Sequence, residues 1–180
     1  ARESDLIVAV SAAERETILA RYAPPAGRIA IVRPGVDLTR FRPLAQNERC
    51  WAWQGRYLFF AARLQPLKAP DLAIRTLAAL PRGDRPRLVL AGAASADFGF
   101  YADELHRLVA ELGLVDEVLF LGSLDRDQLA TILRGASALL NPSRSETYGL
   151  INLEAAASGI PVLATRTGGM LESVVDRGTV

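Results

Sequence analysis

The sequence predicts an α/β fold in which a parallel sheet carries helices on both faces. Three observations support this. The candidate strands, among them Tyr57–Ala61, Leu88–Leu90, Val118–Leu121 and Ala138–Asn141, are short and almost wholly apolar, as in strands buried on both faces. They alternate strictly with helical stretches, and within one sheet that means parallel pairing through right-handed crossovers. Most of them empty into glycine or polar loops, the end where ligands of such sheets bind.

In chain order, Leu6–Val10 reads as a strand. Ser11-Ala12-Ala13-Glu14 is a capping-box pattern that opens a helix to about Tyr22, and Pro24-Pro25 ends it. Ile29–Val32 is a second strand, and Pro34-Gly35-Val36-Asp37 turns out of it. Asp37 to Gly55 is irregular, with Pro43, Asn47, Trp51 and Trp53, so 37–56 is read as a linker. Residues 1–36 are then the end of a preceding domain with the start of the linker, and 57–180 the next domain. After Tyr57–Ala61 come helix Pro70–Leu80, with Pro70 in its first turn, and strand Leu88–Leu90 running to Gly92. Helix Tyr101–Leu112 is closed by Gly113, and strand Val118–Leu121 ends at Gly122. Asp125-Arg126-Asp127-Gln128 caps a helix to Gly135 before strand Ala138–Asn141. A helix opens near Tyr148-Gly149, strand Pro161–Thr165 runs into Gly168-Gly169, and Met170–Val175 is a short helical stretch.

Bulk properties narrow the function. A chain of 180 residues buries roughly 70% of its unfolded surface. Half the residues are hydrophobic, which excludes a disordered or fibrous chain. A net charge of +1 gives no electrostatic case for nucleic acid or an anionic membrane. Cys50 and His106 are each alone, so no disulfide framework, thiolate or histidine metal cluster, or Ser-His-Asp triad is expected. No apolar run approaches the roughly 20 residues of a membrane span, and no signal peptide is visible. A cytoplasmic setting fits this pattern, with peripheral membrane contact left to segments outside the sequence. The chain starts ARESD and stops at DRGTV, and both ends read as cuts within a longer protein.

The strand ends gather the candidate chemistry. Arg63 and Lys68 follow the first strand of the long series, Gly92 the second, and Gly122, Ser123 and Leu124 the third. Ser143, Glu146, Tyr148 and Gly149 follow the fourth. A guanidinium fork beside a compact ammonium suits a diphosphate. Basic loop side chains are more often merely solvated, and it is the shared βα mouth that favours binding. Glu146, just before a helix start, either complements the dipole by about 0.3–1 kcal/mol or accepts ligand hydroxyls. Glu154 lies among Leu150, Ile151, Leu153, Ala155, Ala156 and Ala157, where a carboxylate is costly unless paired or partly wet. A ribose 2′,3′ diol would satisfy it. Glycosidase carboxyls lie about 5–9.5 Å apart, whereas a fully helical eight-residue offset spans about 12 Å, so hydrolysis is disfavoured. Gly168-Gly169 reads as a plain tight turn, Glu172 as a helix-start charge, and Gly92 and Gly122 have chain reversal as their plainer reading. His106 reads as a solvated side chain, and Trp51, Trp53 and the run from Tyr57 to Phe60 as packing.

These residues resemble a known family. Pro142-Ser143, Glu146, Tyr148-Gly149-Leu150, Leu153-Glu154-Ala155, Gly159-Ile160-Pro161-Val162 and Gly168-Gly169 are similar to the signature of the group 1 (family 4) retaining glycosyltransferases. Arg63-Leu64 with Lys68 resembles its second donor motif. Pro34-Gly35-Val36-Asp37 with Phe41-Arg42-Pro43 resembles its interdomain linker, and Asp5 to Glu14 its last N-domain strand and helix. The resemblance implies a GT-B architecture of two Rossmann-like domains, with this chain mainly the C-terminal, donor-binding one, truncated at its end and inactive alone. It implies a nucleoside diphosphate sugar as donor, an acceptor that is a sugar, a lipid-linked group or a small molecule, and no cofactor or metal. Arg63 and Lys68 would hold the diphosphate, Glu146 the donor sugar and Glu154 the ribose. The Tyr148-Gly149-Leu150 backbone would meet sugar or phosphate, and Gly122 to Leu124 the base. Ala62 and Ala69 stand where the family often has glycine, at a cost if that backbone needs positive φ. Two other readings are compatible with these residues: a sugar-nucleotide epimerase or isomerase on the same fold, and a non-catalytic nucleotide-binding module.

Overall fold

In the computed structural model, residues 4–46, 48, 55–95 and 98–174 are described. The expectations for Asn47, Trp51, Trp53 and the end of the last helical stretch lie outside them. A two-stranded parallel sheet pairs β1 (Ile7–Ala9) with β2 (Ile29–Ile31), joined through α1 (Ala12–Tyr22). Ser11 caps α1 by accepting from the Glu14 amide at 3.0 Å, and the Glu14 carboxylate reaches back to the Val10 amide at 2.7 Å. The capping-box expectation is thus met one residue wider than its usual form.

The main sheet consists of β3 (Tyr57–Ala61), β4 (Arg87–Ala91), β5 (Val118–Gly122), β6 (Ala138–Asn141) and β7 (Val162–Ala164). They are all parallel, in the order β5-β4-β3-β6-β7. The crossovers are α2 (Pro70–Ala79), α3 (Gly99–Glu111), α4 (Arg126–Leu133) and α5 (Leu150–Ala157), and α6 (Met170–Ser173) follows β7. Period-two alternation divides the strands between two cores. Phe60, Leu88, Leu90 and Leu140 meet Ile74 and Leu77 of α2 and Leu105 and Val109 of α3. Phe59, Val89 and Leu139 meet Ile132 and Leu133 of α4 and Ala155 of α5. Both faces are therefore covered, as the apolar strands predict, and each large buried side chain contributes about 1.5–3 kcal/mol.

Two short 3-10 turns, Ala26–Arg28 and Pro66–Lys68, were not expected from sequence. The described part of the linker is also more ordered than its composition suggests. Phe41 is fully buried in the α4–α5 core. Arg134, just past α4, donates to the Arg40 carbonyl at 2.9 Å and pairs with Glu48. The Arg42 hydrogen bond and the Ala45 amide hold the Glu48 carboxyl down at about 2. Arg40 and Glu48 are thereby strapped across α4. Among the described residues no helix is long and apolar enough to cross a membrane.

Candidate functional site

The chain builds β3, β4 and β5 outward in one direction, then returns to lay β6 on the other side of β3. At this reversal the loops after β3 and β6 diverge to opposite faces and open a crevice between them. The Arg144 amide donates to the Leu67 carbonyl at 2.8 Å, stitching the two loops together. Across the same seam Lys68 Nζ donates to Glu146 Oε2 at 2.6 Å, with the side chains only 18% and 14% exposed. Glu146 Oε1 accepts from the Thr147 amide at 3.1 Å. Arg63, just past β3, is exposed and makes no side-chain bond to a described residue.

Each loop is held in shape by its backbone. After β3, the Leu64 amide donates to Ala93 O at 3.0 Å, and the 3-10 turn ends at Ala69 with φ +52. The positive φ raised as a cost for an alanine there is real, about 1–2 kcal/mol for a residue with a Cβ. Gly92 has φ +138 and packs directly under the Ala62 carbonyl, so no Cβ fits. After β6, Ser143 Oγ donates to Asn141 Oδ1 at 2.8 Å, Asn141 Nδ2 to Asn152 Oδ1 at 2.9 Å, and Thr165 Oγ1 to the Ser143 carbonyl at 2.6 Å. Gly149, with φ +81, caps α5 without a side-chain bond, and a Cβ there would come 2.6 Å from Asn152 Nδ2. The first amides of α5 thus carry no side-chain cap, the arrangement that suits an anion.

Glu154 is 2% exposed on α5. Its Oε1 accepts from Arg126 Nη2 at 2.7 Å. Burial pushes its carboxyl above the usual range, and the Arg126 hydrogen bond and charge pull the other way without cancelling that. Arg126 is half exposed, and its Cζ sits 4.7 Å from the centroid of the Phe41 ring.

Of the residues singled out from sequence, Arg63, Gly92, Leu124, Leu150 and Glu154 line one cleft of about 540 Å³ at the strand ends. Lys68 and Glu146 form their pair outside that lining, and so do Ser143, Tyr148 and Gly149. Ser143 is 1% exposed and its hydroxyl donates to Asn141, so its side chain supports the loop. Tyr148 is buried too, leaving only the backbone role that the resemblance gave it. A groove of about 700 Å³ between α2 and α3 is larger and reaches Pro66, Leu67 and Arg144 of the two loops, but none of the candidate donor-site residues lines it.

Sequence reasoning understated three groups. Gly168 and Gly169 are more than a turn, since any Cβ would run into the carbonyls of Glu146 and Thr147, and the Gly169 amide donates to Glu146 O at 3.0 Å. Glu172 does more than complement its own helix. It accepts from the Ala12 amide at 2.7 Å, the Ala13 amide at 3.4 Å and Arg33 at 2.9 Å. Arg126 was read only as part of a helix cap, and no local signal marks its partners, which lie 28 and 85 positions away. His106, expected as solvated, is exposed yet rests on Phe120 with ring centroids 4.1 Å apart.

Comparison with known proteins follows the same lines. The family model described as "Glycosyl transferases group 1" matches residues 49–179. D-inositol 3-phosphate glycosyltransferase of Streptomyces avermitilis is 37% identical over 187 residues, covering 98% of this chain and 40% of that protein. The enzyme of the same name from Nocardia farcinica is 39% identical, with 98% and 41% covered. The chain therefore spans about two fifths of the length of these relatives. Among solved structures, sucrose-phosphate synthase from Thermosynechococcus elongatus superposes with a TM-score of 0.82 at 27% identity, covering 97% of this chain and 44% of that one. Anabaena Alr3699/HepE, crystallised with UDP and glucose, gives 0.84 at 24% identity, with 97% and 48% covered.

Proposed function

The chain belongs to the glycosyl transferases group 1 family and has the fold of the C-terminal domain of a GT-B enzyme, and on that footing we propose that it forms the donor half of a nucleotide-sugar-dependent transferase acting with retention. The observation that supports the reading is that the loops after β3 and β6, at the sheet reversal, carry Arg63, the Lys68–Glu146 pair and the uncapped start of α5. As the glycosidic bond of a nucleoside diphosphate sugar breaks, negative charge builds on the diphosphate. Fixed cations and helix amides in a partly dry cleft stabilise that charge without reorganising. In this proposal Arg63 and Lys68 take it up, with no divalent ion required. Glu146 accepts from sugar hydroxyls while Lys68 fixes its orientation, and Glu154 accepts from the ribose. The acceptor enters from the facing lobe, and retention follows if it attacks the side that the diphosphate leaves.

The test is titration of the full-length protein with UDP, GDP and ADP, followed by turnover of Arg63→Ala and Lys68→Ala. One nucleotide should bind, and each variant should lose about a hundredfold in kcat, the scale of removing one preorganised charge-stabilising donor. Absence of binding to all three nucleotides, or wild-type turnover in both variants, overturns the proposal.

A further inference from the structure

Arg126 has no part in the chemistry above, yet it lines the cleft. Its guanidinium lies over the ring of Phe41 at 4.7 Å and donates to Glu154 Oε1 at 2.7 Å. Phe41 is fully buried, whereas Arg126 stays half exposed and lines the cleft beside Ser123 and Leu124. A guanidinium is planar and has two faces, and it stacks on aromatic rings as readily as it pairs. Phe41 backs the guanidinium at 4.7 Å from the ring centroid. The same group is bonded directly to the carboxylate that, on the donor reading, holds the ribose hydroxyls. A nucleobase is attached to that ribose, so it must come to rest within about a ring's width of this contact. We propose that Arg126 is the nucleobase platform of the cleft: its second face stacks on the base, giving a three-layer pile of Phe41, Arg126 and base.

This geometry accounts for two otherwise separate facts. The linker delivers a buried phenylalanine to the surface of α4, where a guanidinium needs a rigid backing. The contact to Glu154 uses only Oε1, and no described residue bonds Oε2, which leaves that oxygen for a ribose hydroxyl. Arg126 would thus carry the base while Oε2 of its partner acid takes the ribose. Stacking on a guanidinium tolerates any base, so this residue adds affinity for the nucleoside as a class, and the choice among bases falls to the loop backbone at Ser123 and Leu124.

The proposal rests on the donor reading, and its test separates the two. Binding of UDP, GDP and ADP to the full-length protein is measured by calorimetry beside abasic ribose 5-diphosphate, for wild type, Arg126→Lys and Arg126→Gln. Lysine keeps the charge and loses the plane, whereas glutamine keeps a plane and loses the charge. A base platform predicts that Arg126→Lys weakens the preferred nucleotide about tenfold, that Arg126→Gln retains more of the affinity, and that abasic ligand changes less than twofold in either. Wild-type affinity in Arg126→Lys, or an equal loss for nucleotide and abasic ligand, overturns the platform and leaves Arg126 as a tether for Glu154. Failure of the wild type to bind any of the three nucleotides overturns the donor reading itself.

Discussion

Glu154 shows how one residue's surroundings set both its energetics and its use. Its folded carboxyl sits above the ordinary 4.5 because burial opposes the ionised form more than Arg126 supports it. For a raised acid the sign is unfavourable: the ionised group opposes folding above the folded pKa, and the penalty vanishes as pH falls below the unfolded value. Glu154→Gln should therefore be as stable as wild type or more so at pH 7, with the difference closing by about pH 4 in urea titrations. If Glu154 holds the ribose as proposed, nucleotide binding should move the other way, because there the carboxylate accepts from its hydroxyls. Wild-type affinity is expected to fall on acidification from pH 7, and that of the variant to be weaker and flat. A variant that loses stability and affinity together would make Glu154 a packing residue. The acid itself was legible in the sequence, since a lone carboxylate among alanines and leucines calls for a partner. Its partner was not, because Arg126 lies 28 residues earlier and only the packing of α4 beside α5 brings the two together. The close approaches at Gly92 and Gly168 escaped for the same reason, as a clash with a distant carbonyl leaves no mark on neighbouring residues.

At the scale of elements, the turn from β3 into α2 shows how competing small effects settle. Ala69 is buried at φ +52. Substitution by glycine relieves about 1–2 kcal/mol of left-handed strain. It also removes a buried methyl worth about 0.8 kcal/mol and adds about 0.4–1 kcal/mol of unfolded-chain entropy. Ala69→Gly should consequently leave the urea midpoint almost unmoved, while Ala69→Val, β-branched at positive φ and overpacked, should lose more than about 2 kcal/mol. A large gain from glycine would show that the alanine strains the loop far more than its dihedral implies. Here the resemblance served well, because it marked position 69 as one where glycine is common. Element positions were also largely legible: β3 and β6 span the residues their apolar runs predict, and the other strands end within about two residues of expectation. Helix α5 was harder to place, since it is apolar nearly all round and gives little amphipathic edge.

For the whole molecule, the strand order was not in the sequence. Right-handed crossovers allow a chain to extend a sheet on either side, and the return of β6 to the far side of β3 is a tertiary choice. The packing of the two lobes was equally hidden. Glu172 of α6 serves as a cap for α1, which belongs to the smaller sheet, and pairs with Arg33 beyond β2. Burial opposes its ionised form, but Arg33 and the two amides outweigh that and hold the carboxyl below 4.5. The contact is therefore present above that value and lost as pH falls through the lower folded one. Glu172→Gln should cost about 1 kcal/mol, the scale of a lost helix cap. It should also expose α1 to limited proteolysis at pH 7 while β3 to β7 stay protected. Unchanged cleavage within α1 would show that the lobes are held by something else.

That contact has a mechanical side. Gly169 lies wedged between Ser11 at the head of α1 and the Thr147 carbonyl just after Glu146. With no side chain there to act as a cushion, the two lobes mesh like gear teeth where a door hinge would let them swing freely. A rotation that drives α1 toward the sheet must be answered in the backbone under Glu146, and one that draws it away must first unfasten Glu172. The head of α1 and the backbone of the loop that carries Glu146 are thus in register at one point, Gly169.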